Sequence, residues 1–314
     1  MIEYDEFRAM NTTIQIAAEG EREALEPGFA LVRRFVEEAE QRFSRFRDTS
    51  EISALNRAAG KWFSVSEAMF SLLEEAMEVH QRTSGLFDPT ILSALKSVGY
   101  DRSMDEIRSF DSMPVHFNFA TLSPGFDFVE LDTARRAVWM PRDMQIDLGG
   151  IAKGWIAARA SQVLAPFTEV GAVSAGGDMM LFGLPEGSET WQVSLEDPRD
   201  MHQVLAVLNV GPGALATSSV TKRRWTQQDQ IRHHIIDPRI GVPSTSPWLS
   251  VTVYTEKATY AEAFAKALLI AGPQRAWNLA ERVENLQFIA VQKDGRLFGN
   301  LEILEFHHVP ESTY

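Results

Sequence analysis

Read for the spacing of its apolar positions, the chain begins with a short alternating segment, TTIQIAA at residues 12–18, which predicts a strand. Leu31, Val32, Phe35, Val36, Ala39, Phe43 and Phe46 then recur at helical spacing, predicting a helix that starts just after Pro27 and runs to about Arg47. Ser66 stands where a cap belongs for a second helix to about Thr83, with Met69, Leu72, Leu73, Ala76 and Met77 inward and Gly85 just beyond. FVELD and AVWMP flank Thr133–Arg136 as the arms of a hairpin, and a helix is expected over Gly150–Leu164.

The second half changes texture. AVSA and MMLFG surround Gly176–Gly177–Asp178 as a second hairpin, and TWQVSLE, VLAVLNV and LSVTVYT alternate like strands. Two helices are expected at about 258–271 and 273–284, followed by a hairpin of QFIAV and RLFGN about Lys293–Asp294–Gly295. Strands and helices come in blocks, not in strict alternation, which predicts an α+β fold of mainly antiparallel or mixed sheets packed with helices. No repeat or long linker interrupts 1–314, so one continuous unit of two lobes, meeting near residue 170, is expected.

Composition narrows the classes. With 45% hydrophobic and 10% aromatic residues, the 314-residue chain has the makings of a full core. A formal charge of −13 argues against a general nucleic-acid binder, which needs a basic surface. It leaves room for one small anion in a locally basic pocket. Absence of cysteine removes disulfides, thiolate nucleophiles and Cys-ligated zinc. The acidic start, MIEYDEFRAMNTT, lacks the basic-then-apolar order of a secretory signal, and no apolar run is long enough to span a membrane; a cytoplasmic protein is expected.

Several stretches carry candidate chemistry, each with an ordinary reading beside it. IDLGGIAKG at 146–154 leads from a strand end through paired glycines into a helix, where amides and Lys153 would face an anion; it is equally a glycine-assisted turn with a solvated lysine. In GLFDPT, Asp88 is a ligand-facing acid or a plain turn residue. Adjacent His233 and His234 in HHIIDP point to opposite faces if they lie in a strand, freeing one for general-base work. ATSS at 216–219, just before the basic Lys222–Arg224, is an anion-binding loop or simply a polar one. Glu262 and Lys266 stand four apart on a helix, the favoured orientation for a surface pair.

Together, MNT at 10–12, FSRFRDTSEISALN at 43–56, GLFDPT at 85–90, IDLGGIAKGW at 146–155, AGGD at 175–178, ATSS at 216–219, HHIIDPRIGVP at 233–243 and AEAFAKALLIAG at 261–272 resemble the ApbE family of magnesium-dependent FAD:protein FMN transferases. The resemblance implies a T-fold-related architecture with FAD in a groove between lobes, and an acceptor protein that receives FMN on a Thr hydroxyl while AMP departs. It places Met10, Phe46, Leu86, Phe87, Asp88, Asp147, Lys153 and Ile235 at flavin-site positions, the Gly150 carbonyl and Glu262 at the Mg2+, and His234 and Glu262 in catalysis. It also exposes a departure. Lys266 falls where the family has a Thr metal ligand, and Glu262 where it has Asp. An ammonium has donors and no acceptor while protonated. Asn11, Ala158, Ser174 and Ser219 depart from the pattern as well. Two outcomes are therefore open: a working transferase with a divalent ion, or an FAD-binding homologue of little or no activity in which Lys266 takes the metal's place.

Overall fold

The structure, a computed structural model, describes residues 1–109, 123–227 and 229–300. An eight-stranded antiparallel sheet organises them, in the order Ile2–Ala9, Thr12–Glu19, Gly171–Ala175, Asp178–Phe182, Gly213–Ser219, Trp248–Thr255, Gln287–Gln292 and Leu297–Gly299. The alternation read at the start of the chain produces Thr12–Glu19, whose Ile14, Ile16 and Ala18 are buried. Ile14 pairs with Ala175 and Ile16 with Val173, so strands from either side of residue 170 share one sheet.

Two helices cover this sheet. Ala152–Leu164 packs on Gly171–Ala175 and Asp178–Phe182, while Ala258–Ala271 packs on Gly213–Ser219 and Trp248–Thr255. The long helix Arg22–Phe43 lies against Ala152–Leu164. Nearly every residue of Ala258–Ala271 is buried, Glu262 included. Its many alanines let neighbours approach closely. Gly154 marks the tightest approach: a Cβ there would come 2.3 Å from the Ala258 carbonyl oxygen.

The helix Glu67–Arg82 starts on the Ser66 side chain, which accepts from the Met69 amide, as its sequence indicates. Both hairpins about Thr133–Arg136 and Gly176–Gly177 form, the latter with positive φ at both glycines. So does Gln287–Gln292 with Leu297–Gly299. Four readings need correction. The first helix begins at Arg22, with Pro27 inside it, and ends at Phe43, so Phe46 lies beyond it and Leu31 is half exposed. Pro27 is the sixth helical residue, past the first turn, and removes one backbone donor from the helix. ATSS is not a loop but part of the central strand Gly213–Ser219, where Ser218 and Ser219 are buried. His233 ends the strand Gln230–His233 and His234 lies outside it, so the strand argument does not set their directions. The second late helix is shorter than expected, Ala276–Ala280. The first strand, Ile2–Ala9, has no strong apolar alternation because it is an edge strand with little buried surface. No helix among the described residues is long and apolar enough to cross a membrane.

Replacing Gly154 with Ala is expected to lower unfolding stability by about 1–3 kcal/mol, the range for forcing extra carbon into a packed site. The obstruction is backbone, which cannot rotate away. Chemical denaturation checks this; an unchanged midpoint would mean that the two helices separate easily.

Candidate active site

The elements leave a cleft that opens to solvent. Its walls come from far apart in the chain: the Met10–Asn11 turn, the segment following the first helix, the turn at 86–91, the glycine turn at 147–153, Arg223, residues 234–238, and Lys266. Met10, Phe46, Leu86, Phe87, Asp88, Asp147, Gly150, Lys153, His234, Ile235 and Lys266 all line it. Glu262 lies just beneath, 1% exposed.

Each wall has a local cause. Ala9 pairs with Thr12, so Met10 and Asn11 form a two-residue hairpin turn, both with φ near +54° (53° and 54°). Asn suits that conformation; Met does not, and the pairing of Ala9 with Thr12 imposes it on Met10. The turn at Leu86–Asp88 is tied by a His80 ring nitrogen to the Phe87 carbonyl at 2.9 Å and by the Phe87 amide to Thr83 Oγ1. Asp88 caps the short turn Pro89–Ile91: its Oδ1 accepts from the Thr90 amide and hydroxyl, and its Oδ2 from the Phe126 amide. Asp88 thus lines the cleft while spending both oxygens on the backbone around it. Asp147 Oδ1 accepts from the Gly149 amide and lies 3.6 Å from Arg45.

At the floor four charges meet, the carboxylates of Glu262 and Asp178 buried and the ammoniums of Lys153 and Lys266 largely so. Glu262 Oε2 accepts from the Gly154 amide at 2.8 Å; its Oε1 lies 2.9 Å from the Lys153 ammonium and 3.2 Å from that of Lys266. Lys153 also pairs with Asp178, the acid after the double glycine. Lys266 donates in addition to the Gly150 carbonyl at 3.2 Å. The i,i+4 pair on the late helix is therefore an interior pair, not a surface one. Burial alone would push the Glu262 carboxyl up, but Lys153, Lys266 and the Gly154 amide outweigh it and hold the carboxylate ionised. Burial pushes the Lys153 ammonium down to about 8, partly opposed by Glu262 and reinforced by Lys266 and Arg223. Burial, then Arg223 and Lys266, hold His234 well below its usual range, so its imidazole is neutral. Its Nδ1 is buried without a hydrogen-bond partner.

The oxygens assigned above to Mg2+ do not fit that ion as arranged. Gly150 O and Glu262 Oε1 converge on one ammonium nitrogen, and Glu262 Oε2 is held by an amide. Mg2+ needs a nearly octahedral set of oxygens at about 2.0–2.1 Å. Among the described residues, no group of three or more His, Asp or Glu is placed to hold a metal.

Three wall residues escaped the sequence reading. Arg45 is almost wholly buried, donates to the Tyr100 carbonyl, and lies over the rings of Phe46 (4.2 Å) and Tyr100 (4.6 Å). Tyr100 in turn stacks on Trp225 with ring centres 5.4 Å apart. Arg45 sits inside the FSRFRD stretch, and Arg223 inside the basic triplet; Tyr100 has no local signal. Of that triplet, Lys222 pairs with Glu196 away from the cleft, and Arg223 lines it.

Against known proteins, the model of the ApbE family matches residues 10–290. A relative from Treponema pallidum (strain Nichols) named FAD:protein FMN transferase is 28% identical over 313 residues, covering 93% of this chain and 83% of that protein. One of the same name from Vibrio cholerae serotype O1 is 28% identical over 254 residues, covering 79% and 74%. The crystal structure of the ApbE protein from Thermotoga maritima superposes with a TM-score of 0.82 at 26% identity, covering 95% of this chain and 96% of that one. The flavin transferase ApbE from Vibrio cholerae gives 0.81 at 24% identity, covering 96% of each, a likeness of fold.

The depressed Lys153 titration has a thermodynamic signature. Below about 8 the lysine is charged folded and unfolded, and its burial costs stability throughout. Between about 8 and 10.5 the unfolded chain binds more protons, so this cost is relieved as pH rises. The stability of the wild type relative to Lys153→Met is expected to increase across that window. Denaturation at several pH values checks it; a flat difference would place the titration elsewhere.

Proposed function

The chain belongs to the ApbE family, and on that premise we propose that it binds FAD in this cleft and transfers the FMN half to a Thr hydroxyl of an acceptor protein. The observation that carries the reading is one convergence. Two ammonium groups and Arg223 gather beside an aromatic wall of Phe46, Phe87 and Tyr100, in a chain whose net charge is −13. A flat apolar ring joined to an anionic pyrophosphate matches that pairing of surfaces. Phe46, 39% exposed with Arg45 across its ring, offers a face to such a ligand.

In the proposed reaction the Thr oxygen attacks the phosphorus on the FMN side. A phosphoester bond forms, the bond from that phosphorus to the bridging oxygen breaks, and the bridging oxygen leaves on AMP. His234, neutral and lining the cleft, accepts the hydroxyl proton. Lys153 and Lys266 face the pyrophosphate, and their fixed charge opposes the charge collecting on the departing oxygen. Met10, Leu86, Phe87, Asp88, Asp147 and Ile235 shape the flavin end, with Asp88 acting by holding its own turn.

A second reading, FAD binding without transfer, is favoured by one observation. Nothing orients His234 through Nδ1, and its depressed basicity makes it a weak proton acceptor. Purified protein incubated with FAD and a cell extract as acceptor source separates the two. Transfer releases AMP and leaves flavin fluorescence on a denatured protein band. Under the transferase reading, His234→Gln is expected to slow AMP release by about 10²-fold or more with FAD affinity retained. Tight FAD binding with no AMP from the wild type would establish the binder instead.

A further inference from the structure

The Gly150 carbonyl oxygen and Glu262 Oε1 each lie 3.2 Å from a single nitrogen, that of Lys266. Two oxygens from elements 112 residues apart in sequence (262 minus 150) thus share one cation, and it belongs to the chain. A divalent ion at that point would have to displace the ammonium, since both would occupy the same apex. The nearby acids offer no replacement set. Asp178 is held by Lys153, both Asp88 oxygens by hydroxyl and amides, and Asp147 by the Gly149 amide and Arg45.

We propose that Lys266 is a tethered cation that closes the pyrophosphate subsite in place of a divalent ion, so that this chain binds its dinucleotide without metal. The inference rests on the FAD reading of the cleft. A lysine has three donors. Two are spent on Gly150 O and Glu262, which fix the nitrogen, and the third is left for the cleft, where the side chain is 18% exposed. Charge supports the arrangement. Lys153 and Lys266 balance Glu262 and Asp178 within the buried group, leaving Arg223 and the free donor to meet the ligand's negative charge. A metal added to this group would bring two further positive charges beside Lys153, Lys266 and Arg223, with Glu262, Asp178 and Asp147 already paired with Lys153, Lys266 and Arg45 and both Asp88 oxygens engaged by amides and a hydroxyl. Gly150 leaves room on both sides: a Cβ there would lie 3.1 Å from Phe87 Cε2 and 3.3 Å from Lys266 Cε.

Two measurements on the full-length protein test this, neither needing turnover. FAD binding is titrated by fluorescence with MgCl2 and with EDTA; equal affinity is expected, and a tightening of about tenfold or more with Mg2+ overturns the proposal. Mn2+ binding is then followed by electron paramagnetic resonance without flavin. Wild type is expected to bind no Mn2+ in the cleft, while Lys266→Thr gains one site that a further Glu262→Gln removes. A wild-type Mn2+ site abolished by Glu262→Gln would show that Lys266 yields to the metal, and would overturn the proposal. If Lys266→Thr does not fold, Lys266→Gln, closer in length, replaces it. Absence of FAD binding under both conditions removes the dinucleotide reading itself, a result distinct from Mg2+-enhanced binding, which removes only the role of Lys266.

Discussion

Four charges buried between two helices and a hairpin turn set the terms for the rest of this molecule. Lys153, Lys266, Glu262 and Asp178 come from three separate segments, and each is partnered by another or by backbone. An unpaired charge at such depth costs several kcal/mol, on the order of 3–5 when one partner is removed. The group therefore demands that the glycine turn, the double-glycine hairpin and the late helix meet in one register. Gly154 allows the meeting, since only a residue without a side chain lets its amide reach Glu262 while the helix start brushes the Ala258 carbonyl.

From that constraint the cleft follows. The antiparallel sheet and its two covering helices form the base, and segments at its edge supply the walls, most of them several residues each. Two of those segments are fixed by short local bonds: the 86–91 turn by the Asp88 cap and a His80 bond behind Phe87, and Met10–Asn11 by its two-residue hairpin. In the proposed FAD complex, the flavin end would be built from turns that hold themselves, and the pyrophosphate end from charges that hold each other. A site held in this way before the ligand arrives reduces the entropic cost of association.

An ammonium in place of a divalent ion, as proposed, would change the chemistry available. A lysine carries one charge against two, coordinates nothing, and stays attached. It would secure the pyrophosphate at any metal concentration while stabilising less of the charge that develops on AMP. In the proposed arrangement such a site would hold FAD more readily than split it, and the depressed basicity of His234, whose Nδ1 has no partner, is in keeping with that balance.

Much of the fold could be read from spacing. Period-two and period-3.6 patterns mark most of the strands and helices, and Ser66, Gly176 and Gly177 punctuate them, because these signals act within a few residues. The site was legible only as separate motifs. Whether Glu262 and Lys266 face water or the interior cannot be decided by a four-residue spacing, since a helix has the same periodicity on either side. The edge strand Ile2–Ala9 and the central strand Gly213–Ser219 were obscured for a related reason: strand pairing supplies what their own patterns lack. Tyr100 carries no motif at all, and only its stacking on Trp225 and its contact with Arg45 bring it to the cleft. The sequence by itself determined the elements and the inventory of reactive groups, which depend on local backbone preference and covalent identity. Tertiary structure alone decided which charges are buried together and that Lys266 stands on the Gly150 carbonyl, because electrostatic energy depends on distance and solvent exclusion, and neither is a property of order along the chain.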